Sequence, residues 1–271
     1  MRKVLFIFLI NFFIQLSIFS FAKDIDVAIY TDDAYRPYSF LENGEVKGMY
    51  VDVLRAAFSK MKGFKVTLKA VPWKRGKKLM ELGKGFGLAP AFFHGHDWPY
   101  LYPYSLPFYT ETIIAVCNEK HLQSPRNVWP DDYIDLKIGN VSGYDGWGGK
   151  KFRELVKQGK IKYEESKGSQ INISKLGKKR IDCIMMEEKA FEYEFTKIKY
   201  LGMYDEGGKD VKLKKGALIG SDPVYIGYSK TAREKGGYPF QFEFMQAFDS
   251  IIYQMGKSGE IKKIMDAYKD Y

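Results

Sequence analysis

The chain has 271 residues, with 43 Lys and Arg against 33 Asp and Glu (formal charge +10), 45% hydrophobic residues and two cysteines. That composition is globular; it excludes a disordered chain, a low-complexity repeat and a disulfide-rich scaffold. Ten Lys and Arg against three Glu fall in residues 151–180, a basic concentration that would suggest nucleic acid in a cytosolic protein.

The chain opens as an export label. Arg2 and Lys3 precede an apolar run over 4–19, and Ser20-Phe21-Ala22 supplies small residues at the −3 and −1 positions of a cleavage site. This is a secretory signal peptide cut after Ala22; the run is shorter than the roughly 18–20 residues a membrane span needs. The mature chain of 249 residues keeps 41 basic and 33 acidic side chains, a net +8. Export turns the basic stretch into a solvated face, with no nucleic-acid partner.

After the label, "DIDVAIYT" reads as a strand, and a turn at Asn43-Gly44 follows. "VDVLRAAFSKMKG" carries a helical apolar stripe ending at Gly63, "FKVTLKAV" alternates as a strand, "RGKKLMELGKG" is a helix, and "FGLAPAF" is an apolar strand. This β-α-β-α-β order is that of an open sheet covered by helices. "SLPFYTETIIAVCNEK" is extended, without helical period. A second unit follows: strand "DLKIGNVSGY", helix "GKKFRELVKQG", strand "KIKYEES", helix "INISKLGKKR", and "IDCIMMEEKAFEYEF" as a strand running into a helix. A late strand, "PVYIGYSK", precedes two amphipathic helices at the end. Two α/β units joined by extended connectors make a cleft, and ligands of such sheets bind beyond the carboxyl ends of the strands.

Cys117 and Cys183 sit inside apolar runs. An oxidising compartment permits a bridge, but two buried free thiols are the expectation, and neither has the CxxC partner of a zinc site.

The pieces "YRPYSF" before "GMYVDVLRAAF", "VPWKRGKKLMELGKG", "YSLPFYTET", "LKIGNVSGY", "KKRIDCIMMEE" and "SGEIKKIMDAY", in this order and spacing, resemble the bacterial extracellular solute-binding proteins of family 3, which serve ABC importers of polar amino acids. The resemblance implies an α/β, two-lobed periplasmic binding protein type II fold: two open five-stranded sheets with flanking helices, joined by two crossover connectors. Lobe 1 would be residues 23–109 plus 223–271 and lobe 2 residues 113–217, with hinges near 109–112 and 218–222. It further implies a periplasmic monomer with a small-molecule ligand, an ABC permease as partner, no stable membrane insertion and no cofactor.

Carried over residue by residue, the resemblance puts Tyr35 and Trp73 as facing aromatics on the ligand. Glu187, where the family usually has Asp, pairs with an ammonium group, although it also suits the N-terminus of the helix that follows. Ser142, Gly143, Tyr144 and Asp145 form the turn that offers backbone N–H groups to a ligand carboxylate; here Tyr144 stands at the small-hydroxyl position and Asp145 follows it. The stretch "FFHGHDWPYLYPYSLPFY" (92–109) holds eight aromatic residues and no arginine. The family's carboxylate-clamping arginine falls at Trp98, and its hydroxyl donor at Phe93. Since an arginine fork binds a carboxylate bidentately, its loss makes this member atypical, with Arg75 or Arg36 as substitutes. His94, His96 and Asp97 could chelate a metal, but too few ligands accompany them, and no metal is expected. The function implied is capture of an amino-acid-like or cationic, amphipathic solute. Periplasmic cyclohexadienyl dehydratases resemble the same family, so an enzyme on this scaffold is one alternative and a ligand-presenting sensory protein another.

Overall fold

The computed structural model describes residues 23–93, 97–144 and 146–268; residues 1–22, where an export label is expected, and His94, His96 and Asp145 lie outside them. Twelve strands are present among these residues. In the first lobe β1 (Ile25–Asp32) pairs in parallel with β5 (Phe64–Val71) and β6 (Gly87–Ala91). A small antiparallel sheet of β2 (Ala34–Tyr35), β3 (Ser39–Glu42) and β4 (Glu45–Lys47) leaves the end of β1. Its β3–β4 turn has Asn43 and Gly44 at φ 52° and 80°, the left-handed pair a two-residue hairpin requires.

The second lobe runs β10 (Lys162–Ser166), β9 (Lys137–Val141), β11 (Cys183–Glu187) and β8 (Tyr109–Asn118), with β8 antiparallel to β11. The late strand is far longer than "PVYIGYSK" suggests. As β12 it covers Leu213–Ser229, pairing with β8 over Leu213–Val224 and with β6 and β7 (Leu101–Tyr104) beyond. The two expected five-stranded sheets therefore share β12 and form one hydrogen-bonded path. The connectors are two strands paired to each other rather than separate extended segments.

Helices cover the sheets because their apolar positions recur at helical spacing. In the first lobe α1 (Met49–Phe58) buries Tyr50, Val53, Leu54 and Ala57, and α2 (Trp73–Glu81) packs on β1 and β6. The second lobe has α3 (Gly149–Lys157), α4 (Ser169–Gly177) and α5 (Glu188–Tyr200). The chain ends in a short α6 (Lys230–Glu234), then α7 (Gln241–Lys257) and α8 (Glu260–Asp266), back on the first lobe. Phe244, Phe248, Ile252 and Met255 make the buried stripe of α7, and the Phe244 ring meets Phe86 edge-on at 5.0 Å.

The expected free thiols are instead a disulfide between Cys117 and Cys183. The two are direct partners in the β8–β11 ladder. Antiparallel register, invisible in sequences 66 residues apart, brings them face to face.

Among the described residues no helix is long and apolar enough to cross a membrane, and no group of three or more His, Cys, Asp or Glu could hold a metal ion. His121 is paired with Asp182 at 2.8 Å.

Candidate functional site

The carboxyl end of β1 delivers Asp32, and the turn after it delivers Tyr35. Trp73 opens α2, Pro90 lies in β6 with Phe92 just past its end, and Trp98 follows in the aromatic stretch. From the second lobe, the loop after β9 brings Tyr144, Gly146 and Trp147. These nine residues line one cavity with an almost wholly apolar wall. The space between atoms there is about 320 Å³, open solvent at its mouth included, of which about 20 Å³ is wide enough for water. The rings set each other at edge angles: Trp73 to Trp98 at 6.0 Å, Tyr35 to Tyr144 at 5.4 Å, and Tyr144 to Trp147 at 5.1 Å. Edge-to-face contact is the favoured arrangement of aromatic quadrupoles.

Among the described lining residues, Asp32 is the carboxylate. Its Oδ1 accepts from the backbone N–H of Ala34 at 2.9 Å, and its Oδ2 accepts from the Tyr144 hydroxyl at 2.7 Å, across the two lobes. Burial pushes its carboxyl up to about 7, against the lowering effect of these bonds.

A second buried acid cluster lies behind the cavity, where β8 and β11 run side by side. Glu111 is wholly buried, and its two oxygens accept from the hydroxyls of Tyr35 (2.6 Å) and Tyr50 (2.7 Å). Glu187 caps α5 through the N–H of Ala190 (2.7 Å), and the Tyr38 hydroxyl lies close by, off hydrogen-bonding geometry. Burial, then the negative charge of Glu187, hold Glu111 well above the usual carboxylate range. Burial raises Glu187 to about 7.

Of the residues singled out in the sequence, Tyr35, Trp73, Trp98 and Tyr144 meet in the cavity. Gly143 and Ser142 stand at its rim: the Gly143 carbonyl accepts from Lys77 Nζ (2.8 Å), and Ser142 Oγ donates to Glu165 Oε2 (2.8 Å). Glu187 lies behind the lining. Phe93 is 64% exposed with its ring against Tyr104, and Arg75 is exposed on α2; neither lines the cavity. Arg36 lies over the Phe40 ring and pairs with Glu42.

The sequence reading passed over Asp32 and Lys77. Lys77 is 8% exposed; besides its bond to Gly143 it lies 5.1 Å over the Trp98 ring. Helical spacing could have found it: Lys77 is four residues after Trp73 and shares its face, whereas Arg75 is two residues on and points away. Asp32 stands at the carboxyl end of a central strand, where ligands of such sheets bind. Lys74 adds a further tie between the lobes, reaching Glu165 at 3.1 Å.

The family model for bacterial extracellular solute-binding proteins, family 3, matches residues 27–86. No curated protein matches the sequence. Among solved structures, the arginine-, lysine-, histidine-binding protein ArtJ from Geobacillus stearothermophilus is 17% identical, over 91% of this chain and 96% of that one, with a TM-score of 0.63. The ancestral amino acid-binding protein AncCDT-1, a precursor of cyclohexadienyl dehydratase, is 16% identical over 90% and 95%, with a TM-score of 0.64. A histidine kinase sensor domain with similarity to periplasmic binding proteins is 14% identical over 91% and 97%, with a TM-score of 0.69. At these identities the likeness is one of fold. The family match thus falls on the first lobe, and the shared fold covers the rest of the chain.

Proposed function

We propose that the protein captures a small amino-acid-like or cationic, amphipathic solute between its lobes, in the periplasm, and delivers it to an ABC importer. The observation that carries this reading is the cavity itself: both lobes supply its wall, and Tyr144 of one bonds Asp32 of the other. Occupancy and lobe closure are then coupled, which is what a carrier needs if its partner is to distinguish loaded from empty. The hinges are read at 109–112 and 218–222. Support comes from β12, whose pairing with β8 slips register between Lys215 and Gly220; such irregularity lets a strand pair bend. Within the site Asp32, rather than Glu187, is read as the partner of the solute's cation, because Asp32 faces the cavity.

The test is a thermal-shift screen of the purified protein against amino acids, amines, small peptides and carboxylates. A ligand that binds the native state alone raises the melting temperature by mass action. Solution scattering with the hit should then show a smaller radius of gyration. If no class of solute moves the melting temperature, the capture reading fails.

A second reading, an acid catalyst on the same scaffold, is favoured by Asp32 alone: a carboxyl raised to about 7 in a dry pocket can donate a proton to a leaving group. Prephenate is the probe, and steady turnover that disappears in Asp32→Asn would establish it.

A further inference from the structure

The chemistry of the wall narrows the solute class, on the reading that the cleft captures a small solute. Tyr35, Trp73, Phe92, Trp98, Tyr144 and Trp147 turn six aromatic rings toward one space, and the sole carboxylate among the described lining residues is Asp32. Ring faces carry negative potential and attract cations, more strongly when water is excluded. A solute carboxylate would meet the opposite: it would sit near Asp32 in an apolar enclosure, with tryptophan where a guanidinium could have held it. Lys77, the buried cation nearest the lining, is turned across Trp98 to the Gly143 carbonyl.

Counting donors separates the kinds of cation. A primary ammonium brings three N–H groups, and each one buried without an acceptor costs binding. The wall offers little to receive them. Asp32 Oδ1 already accepts from Ala34, which leaves Oδ2, once Tyr144 lets go, for one N–H of the three, and the Tyr35 hydroxyl donates away from the cavity to Glu111. A quaternary ammonium has no N–H; its charge is spread over methyl groups that pack on ring faces and need no acceptor.

We propose that the cleft binds a quaternary ammonium compound lacking a carboxylate, caged by these rings with Asp32 as its counter-charge, and that Tyr144 occupies Asp32 until the solute arrives. Tyr144 thereby acts as the protein's own stand-in, holding the carboxylate until a solute cation takes its place.

The experiment is isothermal titration of the purified protein at pH 8 with choline, tetramethylammonium, ethanolamine, glycine betaine, arginine and glutamine, with tryptophan emission followed in parallel because Trp73, Trp98 and Trp147 line the site. Choline and tetramethylammonium are expected to bind and change the emission. Ethanolamine, glycine betaine and both amino acids should bind at least tenfold more weakly, and Asp32→Asn should weaken choline at least tenfold. If that variant does not fold, the choline titration of the unaltered protein at pH 5.5 replaces it, with the same loss expected as Asp32 takes up a proton. Ethanolamine, betaine, arginine or glutamine binding as tightly as choline overturns the cage while leaving solute capture standing. So does choline binding that ignores Asp32→Asn or the drop in pH. No binding in any of the six titrations overturns the cage as well, and the broader thermal-shift screen then decides separately whether solute capture survives.

Discussion

The hydroxyl of Tyr144 donates to Oδ2 of Asp32 at 2.7 Å, joining residues 112 positions apart and the two lobes of the fold. Asp32 is 3% exposed, so this bond forms where a carboxylate has little water to fall back on. Tyr144→Phe keeps the ring and removes the bond. A net hydrogen bond to a charged group contributes about 1.5–3 kcal/mol, here to the closed arrangement in particular. The expected result is a ligand-free protein with a larger radius of gyration by solution scattering, and a circular dichroism spectrum unchanged.

Stability should fall as pH rises from 5 to 8. Asp32 and Glu187 are both raised to about 7 by burial, from ordinary values of 3.8 and 4.5, and Glu111 is raised well above its own. Between the ordinary and raised values the folded state binds more protons than the unfolded one, so each increase in pH favours unfolding. Around Asp32 stand Asp33, which adds to the rise, and the Ala34 N–H and Tyr144 hydroxyl, which oppose it. Around Glu187 the opposing groups are the Ala190 and Thr112 backbone, Tyr38 and Lys189. At 1.36 kcal/mol per pH unit, Asp32 alone accounts for on the order of 4 kcal/mol across its interval. Urea unfolding at pH 5 and pH 8 measures the slope, which Asp32→Asn should reduce; a stability that climbs over this range contradicts the assignment.

Glu111 separates shape from charge. Glu111→Ala strands the hydroxyls of Tyr35 and Tyr50 in a dry interior, at about 1–3 kcal/mol for each unsatisfied group. Glu111→Gln keeps an acceptor there and removes the charge beside Glu187. The alanine variant should unfold at markedly lower urea, while the glutamine variant should match or exceed the unaltered protein at pH 8.

The Cys117–Cys183 bridge closes a sequence separation of 66 residues within the second lobe. Constraint of the unfolded chain by such a loop is worth about 2–4 kcal/mol. Reduction under denaturing conditions, or the double change to alanine, should lower the urea midpoint by a corresponding amount, and a thiol assay on the unreduced, unfolded protein should find no free thiol.

Lys77→Met should weaken lobe closure and leave the first lobe intact. The aliphatic stem keeps its packing along Trp98, but the bond to the Gly143 carbonyl across the cleft is lost. Loss of an ionised donor to a carbonyl is worth about 1.5–3 kcal/mol, so solute affinity in calorimetry should drop by roughly 10- to 100-fold with little change in melting temperature.

By itself the sequence determined the order of elements and the burial that follows from it. The alternation of "FKVTLKAV" is β5, the stripe of "VDVLRAAF" is α1, and the apolar run "CIMM" is all but the last residue of the buried strand β11. These signals are local, because a strand repeats every two residues and a helix every 3.6. The aromatic wall was legible too, since Tyr35, Trp73 and Trp98 are large apolar groups at the ends of elements.

Only the tertiary structure decided what pairs with what. Cys117 meets Cys183 because β8 lies antiparallel to β11 in one register; a slip of one residue would turn them to opposite faces. The polar side of the site was likewise undecided. Asp32, rather than Glu187, faces the cavity, and Lys77, rather than Arg75, reaches across it. Charge at a position says nothing of direction, whereas helix rotation and strand ends do. The second half of the shared strand β12 resembles a strand on its own, but its first half becomes one only by pairing with β8. Such pairing is long-range, set by the partner rather than by the segment's own propensity.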